Sequence, residues 1–164
     1  MPKLLTRQPI RAVAIDESNF KPYGQLISAS ADGKMFDDTD AVINLQNGIP
    51  RFYIMQLHYR GRVFNDITRH NLCTQCLGSL NGHDWFIAVC PPSNEPKPDL
   101  SLMKVFRIPG DCFIKMEVGT WHAGPYFDRE VVNFYNLELS DTNVIDRFTY
   151  NFATKQNLEF EIVD

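Results

Sequence analysis

From Asn44 onward the chain is a succession of short β-type runs broken by turn residues, and this pattern limits its fold more than any other feature. Spacing of that kind belongs to β sandwiches and barrels. Arg51 to Tyr59 alternates after the Asn47-Gly48 turn signal. Trp85-Phe86-Ile87-Ala88-Val89-Cys90 is a continuous apolar run, the pattern of a buried strand. Leu102 to Ile108 and Cys112 to Val118 lie on either side of a Pro109-Gly110-Asp111 turn. In Val131 to Leu139, the residues Val131, Asn133, Tyr135, Leu137 and Leu139 share one face. Phe148 to Phe152 and Leu158 to Val163 add two runs rich in aromatic and β-branched residues.

Helix is scarce. Asp16-Glu17-Ser18-Asn19-Phe20 has N-cap character and can open one short turn, which Pro22 and Gly24 stop. Residues 28–39 are small and polar, hence a loop. Residues 91–98 carry four prolines and cannot supply the donors of a central strand. The β pattern continues on both sides of them, so they read as a surface excursion within one domain spanning 1–164. The expected fold class is all-β with little helix.

Charge and composition exclude some functions. The net charge is −4 and the basic residues are scattered, which argues against nucleic-acid binding. No apolar run approaches the roughly 18 residues that cross a bilayer. Met1 to Arg7 has no signal-peptide core, so a cytoplasmic location is the default expectation. Cys73 and Cys76 have the spacing of a redox or zinc pair, but Cys90 and Cys112 do not form a second pair. Residues three apart in a strand face opposite ways, so reduced, packed cysteines are expected.

Two segments carry candidate chemistry. In the first, Thr68-Arg69-His70 is followed by four residues, Gln75, six more residues and Gly82. In the second, Gly119-Thr120-Trp121-His122 ends the run that follows Pro109-Gly110-Asp111, with Glu117 two residues before Gly119 and Tyr126 four after His122. Together they resemble the paired motifs of a cupin-type β barrel (a double-stranded β-helix), with Thr68 at the place of a first His and Gln75 at that of a Glu. The resemblance implies that His70, Gln75 and His122 face the barrel interior, as catalytic groups or as ligands of a divalent transition metal. Two imidazoles and an amide form a weaker cation site than three imidazoles and a carboxylate, since the amide has no charge. Glu117 is a further possible ligand. His83, in a turn, and His58, at a strand end, have no motif around them.

The chain further resembles the ureidoglycolate lyases from about Phe20 to Phe152. The matching residues are Tyr23-Gly24, Asn47-Gly48 with Arg51-Phe52, Arg69-His70 with Thr74-Gln75, Pro98-Asp99-Leu100, and Gly119-Thr120-Trp121-His122. The resemblance implies a homodimeric cupin of purine (allantoin) breakdown that splits ureidoglycolate into glyoxylate and urea, with nickel as the associated metal. Two positions depart from the family pattern: Ala123 stands where a second His follows the first, and Asn133-Phe134 where an Asp-Phe pair is usual. A non-catalytic module binding a small carboxylate, or a divergent member acting on a related substrate, is the alternative reading.

For that reaction an imidazole titrating near neutrality suits the proton transfers. His122 is the first candidate, with His70 as partner or ligand and Gln75 orienting substrate or water. An arginine fork suits the substrate carboxylate, and Arg51 and Arg69 are the candidates. Alternation from Thr68 turns Arg69 away from the His70 face and so favours Arg51. Asn47 and Trp121 complete the substrate-binding candidates, although a Trp beside such a site is more often a packing residue.

Overall fold

The computed structural model describes residues 4–164. Its strands begin with β1 (Thr6–Ala14), β2 (Gly24–Ile27), β3 (Pro50–His58), β4 (Val63–Phe64), β5 (Asp66–Arg69), β6 (Gln75–Ser79) and β7 (Gly82–Cys90). They continue with β8 (Lys104–Gly110), β9 (Phe113–Met116), β10 (Trp121–Tyr126), β11 (Val131–Leu139), β12 (Phe148–Asn151) and β13 (Leu158–Val163). Three helices of a turn or so intervene: α1 (Glu17–Phe20), α2 (Thr142–Ile145) and α3 (Phe152–Gln156).

The strands form two sheets. One has the order β12-β5-β10-β7-β8-β1-β13-β4, the other β2-β9-β6-β11-β3. Curled toward each other, they make the half-barrel of an all-β, cupin-like fold, all-β as the turn-and-run pattern implied and cupin-like as the motif resemblance implied. Between them lies a core to which both sheets contribute, with Trp85, Ile87, Phe106 and Ile108 from one and Leu77, Ile114, Val132 and Phe134 from the other.

Strand β7 explains its own uninterrupted apolar run. Trp85, Ile87 and Val89 enter the core between the sheets. Phe86, Ala88 and Cys90 enter a second cluster on the other face, with Phe152, Phe160 and Ile162. A strand covered on both sides has no polar face to alternate. β10 is divided in the same way: Trp121 and Ala123 belong to the outer cluster, and His122 between them is turned the other way.

Several boundaries differ from the sequence expectation for local reasons. Leu100–Leu102 is a 3-10 turn whose first backbone groups are capped by Asp99, so the strand expected from Leu102 starts at Lys104. The run expected from Cys112 to Val118 ends at Met116, where Glu117 N–H bonds the Tyr23 carbonyl and Thr120 N–H bonds the Glu117 carbonyl. Phe152 leaves its strand because the Asn151 side chain accepts from Thr154 N–H and opens α3. The Asp16 turn forms as expected, with Asp16 and Asn19 capping each other's backbone. Strand β1 pairs in parallel with both β13 and β8. Its partners are far along the chain, so nothing local announces it.

The two turns that frame β9 are made by glycine. A Cβ on Gly110 would sit 2.1 Å from the backbone of Gly82, so only glycine lets β8 approach the start of β7 there. Gly119 has φ +85, a left-handed conformation that favours glycine, and its N–H bonds the His70 carbonyl at 2.7 Å. That bond ties the second motif to the first.

Candidate active site

A cavity of about 300 Å³ opens between the sheets, with His70, Gln75 and His122 in its wall. In β5, Asp66 and Thr68 face it, and His70 follows on the same face. β10 supplies His122, paired with Thr68 in register. Gln75 and Leu77 come from β6, Tyr53, Met55 and Leu57 from β3, and Asn136 from β11. Arg60, Asn143 and Arg147 reach it from loops and from α2.

The two imidazoles are tilted against each other, with ring centroids 5.1 Å apart and an interplanar angle of 50°. His70 Nδ1 is 2.6 Å from the Asp146 carbonyl, and His122 Nδ1 is 3.3 Å from the Thr120 carbonyl. A carbonyl only accepts, so each Nδ1 carries a hydrogen and donates it. In a neutral ring this leaves the Nε2 lone pair free for a proton or a metal. Asp146 is itself held, its carboxylate accepting from Asn71 and Leu72 N–H at 2.8 Å each. The His122 ring keeps partial contact with solvent at the cavity, yet most of it is surrounded by protein. Burial pushes its pKa down to about 3, and the neighbouring His70 pushes the same way. His122 is therefore a neutral imidazole at physiological pH, and the near-neutral titration expected of it from the sequence is overturned by its burial.

Beneath the imidazoles is a polar network. Gln75 Nε2 donates to Asn136 Oδ1 and Glu138 Oε2, both at 3.1 Å. Asn136 Nδ2 donates to the Tyr53 hydroxyl at 3.0 Å, which donates to Glu138 Oε1 at 3.3 Å. Asn143 Nδ2 donates to that same oxygen at 3.1 Å. These partners fix the Gln75 amide, because the flipped amide would set its oxygen against two acceptors. Gln75 Oε1 is left buried and without a partner.

A divalent cation would find here two imidazole Nε2 atoms and an orphaned amide oxygen, and these three residues also bound one small void together. The donor set fits a cation but holds it weakly, since it has no charge. Glu138 is turned onto Gln75, Tyr53 and Asn143, and Glu117 is paired with Lys115. Among the described residues, no three His, Cys, Asp or Glu side chains converge.

The other candidates lie elsewhere. Arg69 is on the outer face of β5, its guanidinium 4.4 Å from the Trp121 ring and donating to the Ser93 carbonyl. Trp121 is buried in the outer cluster. Arg51 lies over the Tyr53 ring at 3.7 Å, at the end of β3 and outside the cavity wall. Asn47 Nδ2 donates to the Leu72 carbonyl at 2.8 Å and tethers a loop. Strand alternation accounts for Arg69 and Trp121, because a neighbour of an inward His must point outward. The cysteines Cys73, Cys76, Cys90 and Cys112 are free and buried.

The cationic groups at the cavity are instead Arg60 and Arg147. Arg60 stacks on Tyr126 at 4.7 Å and donates to the Pro125 carbonyl at 3.3 Å. Arg147 is exposed at the wall and, among the described residues, makes no ion pair or hydrogen bond. Neither has a motif around it. Asn136 and Glu138 left a signal: both lie on the face of β11 that also bears Val132 and Phe134, and polar residues continuing a buried apolar face point to a site. Of the two departures from the family pattern, Ala123 lies in the cavity wall and Asn133 lies outside it. The Ala123 methyl packs in the outer cluster, and Asn133 accepts from Gln56 Nε2 on the outer face of β11.

A half-barrel with paired inward imidazoles defines a cupin-like protein. The ureidoglycolate lyase family model matches residues 39–149, more than half of the 164 and all of the cavity residues named above. The chain belongs to the ureidoglycolate lyase family and is thus a lyase. No curated protein matches it. Among the described residues, no helix is long and apolar enough to cross a membrane.

Proposed function

We propose that this protein splits ureidoglycolate into glyoxylate and urea, as a step of purine (allantoin) breakdown, within a single domain of 164 residues. The observation that carries this reading is the neutral His122 imidazole facing His70 in a cavity rimmed by the unpaired Arg147. Arg147 takes the substrate carboxylate through paired, charge-assisted hydrogen bonds, and Arg60 adds positive potential at the rim. His122 Nε2 accepts the hydroxyl proton while the carbon–oxygen double bond forms and the carbon–nitrogen bond breaks. The same nitrogen then gives that proton to the departing urea. One proton moves from oxygen to nitrogen, so a single carrier closes the reaction. Gln75, in the cavity wall, orients the substrate through its amide.

His70, Gln75 and His122 would hold a divalent metal (nickel by the family resemblance), which when bound supplies Lewis-acid polarisation of a substrate oxygen. The lone pair of His122 serves either the proton or the ion, so chelation separates the two roles. Urea release from racemic ureidoglycolate is expected both with and without chelator. No release in either condition overturns the reading. Release lost in chelator and restored by nickel makes His122 a ligand and not the proton carrier.

The four free buried cysteines favour a reducing compartment, the cytoplasm. The outer face of the five-stranded sheet favours a homodimer. Phe52 is 66% exposed and Ile54 55%, and a stack of Phe52, Tyr135 and Phe113 crosses this face with centroids 5.7 and 5.5 Å apart. Its edge strand β3 is unpaired on one side. Sedimentation is expected to show a dimer that Ile54→Lys converts to a monomer. A monomeric wild-type protein at micromolar concentration sinks the dimer.

A further inference from the structure

We infer that Glu138 is a positioning residue, whose carboxylate keeps the Gln75 amide oxygen turned toward the imidazole pair. The inference rests on the proposed role of Gln75 in the site and adds the residue that makes that role possible. An amide side chain has two nearly isosteric ends of opposite character, a donor and an acceptor. Packing alone does not choose between them, so the choice must come from hydrogen-bond partners.

At Gln75 the choice is made from one side. Its Nε2 meets Asn136 Oδ1 and Glu138 Oε2, both acceptors. Asn136 is an amide as well, and its own Nδ2 meets only the Tyr53 hydroxyl, which can donate or accept, and the Met55 sulfur, a weak acceptor at 4.0 Å. Among Gln75, Asn136, Tyr53, Asn143 and Glu138, the carboxylate of Glu138 alone has no donor to offer when ionised. It is 1% exposed, and three donors face it, from Gln75, Tyr53 and Asn143. The polarity of the network therefore runs outward from this carboxylate. Its end is Gln75 Oε1, buried and unpartnered, on a residue that bounds one small void with His70 and His122. An unsatisfied buried acceptor is unfavourable by itself, and the Glu138 contact opposes the rotation that would relieve it.

Glu138→Gln keeps the volume and removes this asymmetry, because the new side chain can present either end to Gln75. In about half of the resulting arrangements the Gln75 NH₂ group would face the cavity in place of the oxygen. The test is a double-mutant cycle on urea release, using Glu138→Gln, Gln75→Met and the double variant, with thermal unfolding of all three. If Glu138 acts through the amide, Glu138→Gln lowers kcat by about 10-fold or more in the wild-type background. It then has less than about a 2-fold effect in the Gln75→Met background, a failure of additivity expected of groups that act as a unit. A residue with a merely structural role would impair both backgrounds equally. Equal effects in the two backgrounds, or no effect in the wild type, overturn the inference. Full turnover by Gln75→Met would instead overturn the role given to Gln75, which is a different result in a different variant.

Discussion

Replacing His122 with alanine lowers kcat/KM for urea release by at least about 10²-fold, the low end for loss of an acid–base group. Near-normal turnover by a folded His122→Ala protein would remove His122 from the chemistry. The pH profile gives an independent check. Burial and His70 push the His122 pKa down to about 3 from the ordinary 6.5, so the acid limb of kcat/KM lies well below the pH at which free imidazole protonates. An acid limb near 6.5 would mean that another group carries the proton. The same shift affects stability. Between about 3 and 6.5 the unfolded chain binds a proton at this residue that the folded chain does not, so stability falls as pH drops through that window. Above it the residue makes no difference, and His122→Ala removes this part of the acid sensitivity.

Changing Arg147 to methionine raises KM for ureidoglycolate by about 10- to 100-fold, since a hydrogen bond to a charged group contributes about 1.5–3 kcal/mol. If the arginine holds the carboxylate equally in the ground and transition states, kcat changes little. Arg147→Lys recovers only part of the loss, because an ammonium cannot make the paired contact. The alkyl stem of methionine preserves most of the packing, and the residue is exposed, so folding is not at stake. Steady-state kinetics on the two variants decide it. An unchanged KM in Arg147→Met would hand the carboxylate to Arg60, the other guanidinium at the cavity.

The legible part of the site consisted of residues whose position follows from local periodicity. His70 and His122 are each anchored by a turn and a strand, and alternation told which neighbours point away from them. It correctly set Arg69 apart from the His70 face, and it applies equally to Trp121, buried in the outer cluster. It gave no warning about Arg51, which is on the inward-facing series of β3 but lies at the strand end, over Tyr53. Reach along a strand depends on where the sheets curl, and curl is a property of the assembled barrel. Val131 to Leu139 shows the same boundary. Its alternation was plain, but Asn133 and its companions turned out to lie on the outer face, with the buried face formed by Val132, Phe134, Asn136 and Glu138.

By itself, the sequence determined a β-rich chain, because turn residues and period-two alternation act over a few residues and survive in any context; that its two motif histidines point inward was implied by the resemblance to cupins. Only the tertiary structure decided which cations line the cavity of the two histidines and which acid holds Gln75. Arg60 and Arg147 are brought to the cavity by a loop and by the end of α2, and Glu138 is brought onto Gln75 by β11. Their convergence depends on sheet pairing over distances of tens of residues, and no local propensity encodes such pairing.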